Sequence, residues 1–242
     1  MNEIQTLNSK YKINVLLYHQ IGISPTNETN LNCFCKTTEF YNQMEFLSKS
    51  NEYEVISLAS AIDLTSTSKY IDRNYVVLTF DDGCESFYDV AYPIIKSFGF
   101  DATVYPITGF LGQKAIINSK VYNHLKVMSK GMIKELSENG VDFGAHTINH
   151  FKLTEISDSE AEYQIVHSKR NLENILGKKI QSFSYPHGLY NEKIIEIVKK
   201  CGFTNAMSCI SESLTIRSSL FEIPRKYVTF NDNIDNFILK IN

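Results

Sequence analysis

Short apolar runs rich in Val, Ile, Phe and Tyr recur along the chain, separated by stretches in which apolar residues fall three or four apart. The first pattern predicts strands buried on both faces and the second predicts helices with one buried stripe. Strands are expected over Ile13–Tyr18, Tyr53–Leu58, Tyr75–Phe80, Ala102–Ile107, Val141–Ala145, Phe183–Tyr185, Thr204–Cys209 and Phe221–Val228. Helices are expected from Thr37 or Thr38, whose hydroxyl can cap the first turn, and over Ser86–Phe98, closed by Gly99. Further helices run from Ser129 to Asn139-Gly140 and over Ser157–Leu176, Glu192–Cys201 and Ile234–Ile241. The Asn- and Thr-rich segment before Lys36 reads as a loop, and residues 108–126 fit neither pattern and read as part of a substrate lip.

Strand and helix alternate with no repeat or linker, which implies one α/β domain over residues 1–242, built as a barrel or an open doubly wound sheet. In either form the strand ends converge on one face, where such folds carry their chemistry. Basic and acidic residues nearly balance, 24 against 27, with no basic block, so neither nucleic acid nor an anionic membrane is an expected partner. The five cysteines form no C-x-x-C array and read as free thiols in a reducing compartment. The apolar run Ile13–Tyr18 is too short for a signal peptide or membrane span. The expectation is a cytoplasmic location, with a missing leader, export or peripheral attachment left open.

Candidate chemistry gathers at three strand ends. Leu78-Thr-Phe-Asp-Asp-Gly-Cys-Glu-Ser-Phe87 runs an apolar strand into two adjacent carboxylates, which repel each other and need a counter-ion, a shared proton or a surface turn. His146-Thr-Ile-Asn-His150 carries two histidines four apart, and a single helical turn would aim both at one divalent metal. Two imidazoles and one carboxylate make an open hydrolytic centre, leaving the other aspartate to take a proton from the attacking water. Ser184-Tyr-Pro-His-Gly-Leu-Tyr-Asn191 reads as a turn at a third strand end. Cys84 reads as packing, and His124 and His167 as surface residues.

LTFDDG, HTINH and FSYPHGLYN, in that order and at this separation, resemble the motifs of polysaccharide deacetylases of the NodB-homology type, carbohydrate esterase family 4. The likeness covers most of the chain, about 12–228. It implies a distorted (β/α) barrel of about seven parallel strands, a divalent metal (zinc, or else cobalt or nickel), and hydrolysis of an acetyl group, N-acetyl first, on a sugar, oligosaccharide or polysaccharide. Carried over by position, it makes Asp81 the general base and Asp82, His146 and His150 the metal ligands. Tyr185, Pro186, His187 and Gly188 would line the groove, with a backbone N–H holding the oxyanion, and Arg225 would stand at the groove near Asp81 and lower its pKa. Any sugar-stacking surface would use Tyr105, Tyr185 or Tyr190, since the chain has no Trp.

Two departures mark the branch. The third motif is Tyr-Pro-His-Gly where the best-known branch has an Arg-Pro-Pro type, and no histidine follows His187 to serve as acid. An early Tyr18-His19 is instead similar to the branch that includes poly-N-acetylglucosamine deacetylases, which implies His19 as the acid. Rival expectations are a same-fold amidohydrolase acting on a non-sugar amide, a non-catalytic sugar-binding relative, and a structural metal protein. The sequence fixes neither the sugar nor the oligomeric state.

Overall fold

Every residue of β1 (Ile13–Tyr18) is buried, on both of its alternating faces. A strand of that kind needs a core on each side, and a barrel wrapped in helices supplies both. The computed structural model describes residues 11–22, 31–67, 71–117 and 120–242. Six further strands complete the ring: β2 (Asn74–Asp82), β3 (Thr103–Pro106), β4 (Asp142–Phe143), β5 (Ser182–Ser184), β6 (Asn205–Met207) and β7 (Lys226–Tyr227). All the ladders between them are parallel: β7 with β1, β1 with β2, β2 with β3, β3 with β4, and β5 with β6. Single parallel bridges, Ala145 to Phe183 and Met207 to Ile223, carry the ring from β4 to β5 and from β6 to the segment entering β7.

The result is a seven-stranded barrel closed at two junctions by one bridge each. It is distorted at β2 as well. One edge of β2 pairs with β1 over Tyr75–Phe80, so Tyr53–Val55 and β3 must share the other, taking Asn74–Val76 and Thr79–Asp82 respectively.

Alternation along the strands sorts the core in two. Ile13, Val15, Tyr75, Val77, Tyr105, Met207 and Ile223 form the barrel interior. Leu16, Tyr18, Val76, Leu78, Phe80, Val104, Phe183 and Ala206 face outward beneath the helices. Those helices are α1 (Thr37–Lys49), α2 (Leu58–Thr67), α3 (Tyr92–Phe98), α4 (Lys130–Glu138), α5 (Asp158–Leu176), α6 (Glu192–Lys200) and α7 (Ile234–Ile241). Ser129 and Ser157 cap α4 and α5 through side-chain bonds to N–H groups of the first turn, as their positions predict. Gly99 ends α3 in a left-handed turn.

Several expected boundaries move. Lys36, not a threonine, is the N-cap of α1 and makes no side-chain cap bond, because Thr37 and Thr38 already lie inside the helix. The run Tyr53–Leu58 stays strand only to Val55, since Leu58 opens α2 and packs into the interior core. The helix expected from Ser86 begins as a wider π turn over Phe87–Ala91. Within 108–126 an antiparallel hairpin forms, Lys114–Ile117 against Lys120–Lys126. Residues 23–30 of the expected early loop, and the side chain of His124, lie outside the described residues. Among the described residues, no helix is long and apolar enough to cross a membrane.

Candidate active site

Adjacent residues on a strand point to opposite faces, so Asp81 and Asp82 should not both reach one site. They do because the strand breaks its alternation between them. Asp81 continues the interior series of Tyr75, Val77 and Thr79, whereas Asp82 takes a left-handed backbone, φ 66°. Gly83 follows at φ 68°, where an added Cβ would stand 2.4 Å from Pro106 Cβ. The turn swings the second carboxylate back over the barrel mouth.

His146 and His150 meet it there. His146 Nε2 and His150 Nε2 each lie 3.6 Å from Asp82 Oδ1. The expected helical turn between them is absent. HTINH is a loop with left-handed residues at Thr147 (φ 65°) and His150 (φ 57°), so their convergence comes from tertiary bonds and not from helical spacing. Gln164 Oε1, buried on α5, accepts both the Ile148 and Asn149 N–H groups at 3.1 and 2.9 Å. The Ile148 carbonyl accepts the Gly109 N–H, and Thr147 Oγ1 accepts the His150 N–H. Gly109 has to be glycine, since a Cβ would meet that same carbonyl at 2.5 Å.

The donor set fits a divalent cation. Two bonds of about 2.1 Å at a near-tetrahedral angle hold their donors about 3.4 Å apart, close to the contacts on Asp82. Asp82 Oδ1 is buried with no hydrogen-bond donor, the orphaned acceptor that a cation would satisfy. His146 Nδ1–H donates to the Ser184 carbonyl at 2.8 Å, which fixes the tautomer and turns the Nε2 lone pair toward Asp82. Burial pushes His146 down to about 4 and His150 to about 3, keeping both imidazoles neutral as ligands must be. Asp82, His146 and His150 are all buried.

Asp81 has a different environment. Arg225, fully buried, grips it with two bonds of 2.8 and 2.7 Å, and Ser184 Oγ donates to Oδ2 at 2.9 Å. Arg225 is itself held by Ser208 O, Thr79 Oγ1 and Ser184 Oγ. Burial alone would raise the Asp81 carboxyl, but the Arg225 charge overrides it and holds the group well below the usual carboxylate range. Its Oδ2 lies 3.9 Å from His146 Nε2, close to the donor cluster but occupied elsewhere.

His19 follows β1, and the register Tyr18 to Phe80 sets it beside Asp81. Its Nδ1 is buried without a partner. The third motif needs correction. Tyr185 does not line a groove with its ring, which is fully buried, with its hydroxyl on the Phe221 carbonyl and its N–H on Met207 O. Pro186 is buried as well, whereas His187 is exposed and lies tilted against His150, with ring centroids 4.5 Å apart. Gly188 is packed against Cys209, 2.6 Å from where a Cβ would lie. Arg225 reaches Asp81 as expected but, being sealed beneath it, cannot also touch a substrate. Tyr105 is likewise buried, on Ser182 Oγ, so of the three tyrosines only Tyr190 retains partial exposure.

Ser184 and Gln164 were not singled out from sequence. Gln164 did carry a signal, as a polar residue inside the buried stripe Ala161, Ile165, Ser168, Leu172 of α5. Ser184 carried none beyond opening the third motif.

These features have relatives. A family model described as polysaccharide deacetylase matches residues 69–206, more than half of the 242-residue chain, and the chain belongs to that family. YxkH of Bacillus subtilis (strain 168), which carries a polysaccharide deacetylase name, is 28% identical over 192 residues, covering 79% of this chain and 62% of that protein. The chain thus matches less than two thirds of that relative's length. A poly-beta-1,6-N-acetyl-D-glucosamine N-deacetylase of Staphylococcus aureus (strain N315) is 27% identical over 212 residues, 84% of this chain and 70% of that one. This is the branch that the early Tyr-His pair implied. Among solved structures, the Streptococcus pyogenes deacetylase PplD shares the fold with a TM-score of 0.83 at 24% identity, covering 96% of this chain and 98% of that one. IcaB from Ammonifex degensii does so with a TM-score of 0.80 at 21% identity and the same coverage.

Proposed function

We propose that the protein is a metal-dependent carbohydrate deacetylase that hydrolyses the N-acetyl group of an acetylated amino sugar in an oligosaccharide or polymer. The observation that carries this reading is the pairing of an open three-donor set, Asp82, His146 and His150, with a separate carboxylate, Asp81, kept ionised by Arg225. A structural metal site closes with four protein ligands, and a degenerate binding protein has no need of a caged base. Asp82, His146 and His150 would hold the divalent ion, zinc first, which supplies carbonyl polarisation and a lowered water pKa when bound.

The chain's own groups would do the rest. Asp81 takes the proton of the attacking water on a carboxylate that Arg225 and Ser184 hold in one orientation. Within the third motif, Pro186 has no N–H, and those of Tyr185, Gly188 and Leu189 are bonded to Met207, Tyr185 and Pro186 carbonyls. That leaves the His187 N–H, beside His150, to meet the developing oxyanion. His19 supplies the proton that the departing nitrogen needs. The S. aureus relative, named for deacetylating poly-β-1,6-N-acetylglucosamine, supports a β-linked amino-sugar polymer as the first substrate to try.

Acetate release from N-acetylglucosamine oligomers, O-acetylated sugars and small cyclic amides, with zinc, cobalt or nickel added to chelator-treated protein, tests the reading. Metal-dependent release from the N-acetyl oligomers is expected. Turnover confined to the non-sugar amides would move the protein to the amidohydrolase alternative.

A further inference from the structure

The strand that brings in Arg225 brings a second side chain to the same face two residues on. β7 pairs with β1 in the register Leu17 to Tyr227, so Tyr227 shares the face of Leu17 and His19. Its ring lies 5.0 Å from the His19 ring, and its hydroxyl lies 3.4 Å from His19 Nε2 and 3.4 Å from Cys33 Sγ. His19 Nδ1 is sealed off and without a partner, so Nε2 is the nitrogen left to pass a proton outward. The Tyr227 hydroxyl therefore stands 3.4 Å from the nitrogen of the proposed acid that faces outward. From there we infer that Tyr227 is a further catalytic residue, a relay between His19 and the leaving nitrogen. As the C–N bond breaks, the nitrogen takes the bond pair and the hydroxyl proton of Tyr227, and the Tyr227 oxygen takes the proton of His19 Nε2. Tyr227 ends as it began and His19 ends neutral.

Two further observations agree with a relay. Tyr227 is half-buried, so its ring is not sealed in the core. Burial, with the Cys33 thiol next to it, pushes the hydroxyl well above the usual phenol range, so it can give a proton only by receiving one in the same step.

The inference rests on the deacetylase reading and is separable from it. In Tyr227→Phe, loaded with zinc, amide turnover should fall about a hundredfold with KM little changed, while an aryl acetate, whose phenolate leaves without a proton, should lose less than about threefold. The wild-type proton inventory in mixed H₂O and D₂O should curve on the amide, two protons being in flight, and straighten in Tyr227→Phe. Unchanged metal content excludes a collapsed site. Equal losses on amide and ester, or a linear wild-type inventory, would overturn the relay while leaving the deacetylase reading intact. No acetate release by the wild type from any acetylated sugar would remove both.

Discussion

At Asp81 two requirements pull against each other. A base should hold its proton well, yet this carboxyl is buried and would drift toward the neutral form without help. Arg225 resolves the conflict at the expense of basicity, keeping the anion ionised and fixed. Asp81→Asn should therefore retain the metal, because the donor set does not include Asp81, while turnover falls by about two to four decades. Elemental analysis together with acetate release checks both halves, and near-normal turnover would move the base elsewhere. Arg225→Met strands a buried anion and should lower stability by about 3–5 kcal/mol, and by much less in the Asp81→Asn background, where no anion is left unpaired. Denaturation midpoints of the four proteins measure that coupling. The Asp81–Arg225 contact was legible in sequence, since an arginine entering the last strand could be matched to an acidic strand end. Its burial was not legible, and burial is what separates a residue under the base from one in the groove.

At the scale of elements, the site depends on two breaks in regular structure. Asp82-Gly83 leaves the strand in the left-handed region, and Gly83→Ala would add both an unfavourable φ and a clash with Pro106. A loss of about 2–4 kcal/mol is expected, with metal binding weakened because Asp82 is re-aimed. A thermal midpoint within about a degree of wild type would show the turn to be slack. The HTINH loop is held from α5, so Gln164→Leu should keep the helix packed while freeing the Ile148 and Asn149 N–H groups. Metal affinity should fall about 10- to 100-fold with the fold retained, as for other groups that orient ligands from behind. A metal titration followed by circular dichroism decides it, and unchanged affinity would assign the loop's shape to Gly109 and Thr147 alone. The histidine spacing pointed to the candidate donors but suggested a helical turn. A four-residue separation fits a helix and a loop alike, and the bonds that choose between them come from Gly109 and Gln164, remote in sequence.

For the whole molecule, a parallel sheet covered on both faces could be read from strands without a polar face, because only such a sheet tolerates them. Its closure could not, since single bridges at Ala145 and Met207 leave almost no pattern in the chain. The groove tyrosines misled for a related reason: in a barrel this narrow, Tyr105 and Tyr185 serve as packing with a hydrogen-bonded tip. The same construction separates the site from what holds the protein together. Asp82, His146 and His150 sit at the mouth, while apolar side chains such as Ile13 and Val77 inside and Leu78 and Phe80 outside pack the two faces of the sheet. Chelation should therefore abolish acetate release without unfolding the chain. The stability lost should be only that of ligand linkage, about 2.7 kcal/mol for a site held at a hundred times its Kd, and activity should return on adding zinc. Far-ultraviolet circular dichroism of the chelated protein should match that of the loaded one, with a lower but still cooperative thermal midpoint. A chelated chain that lost its secondary structure would instead make the cation part of the fold, and would revive the structural metal protein as the better description.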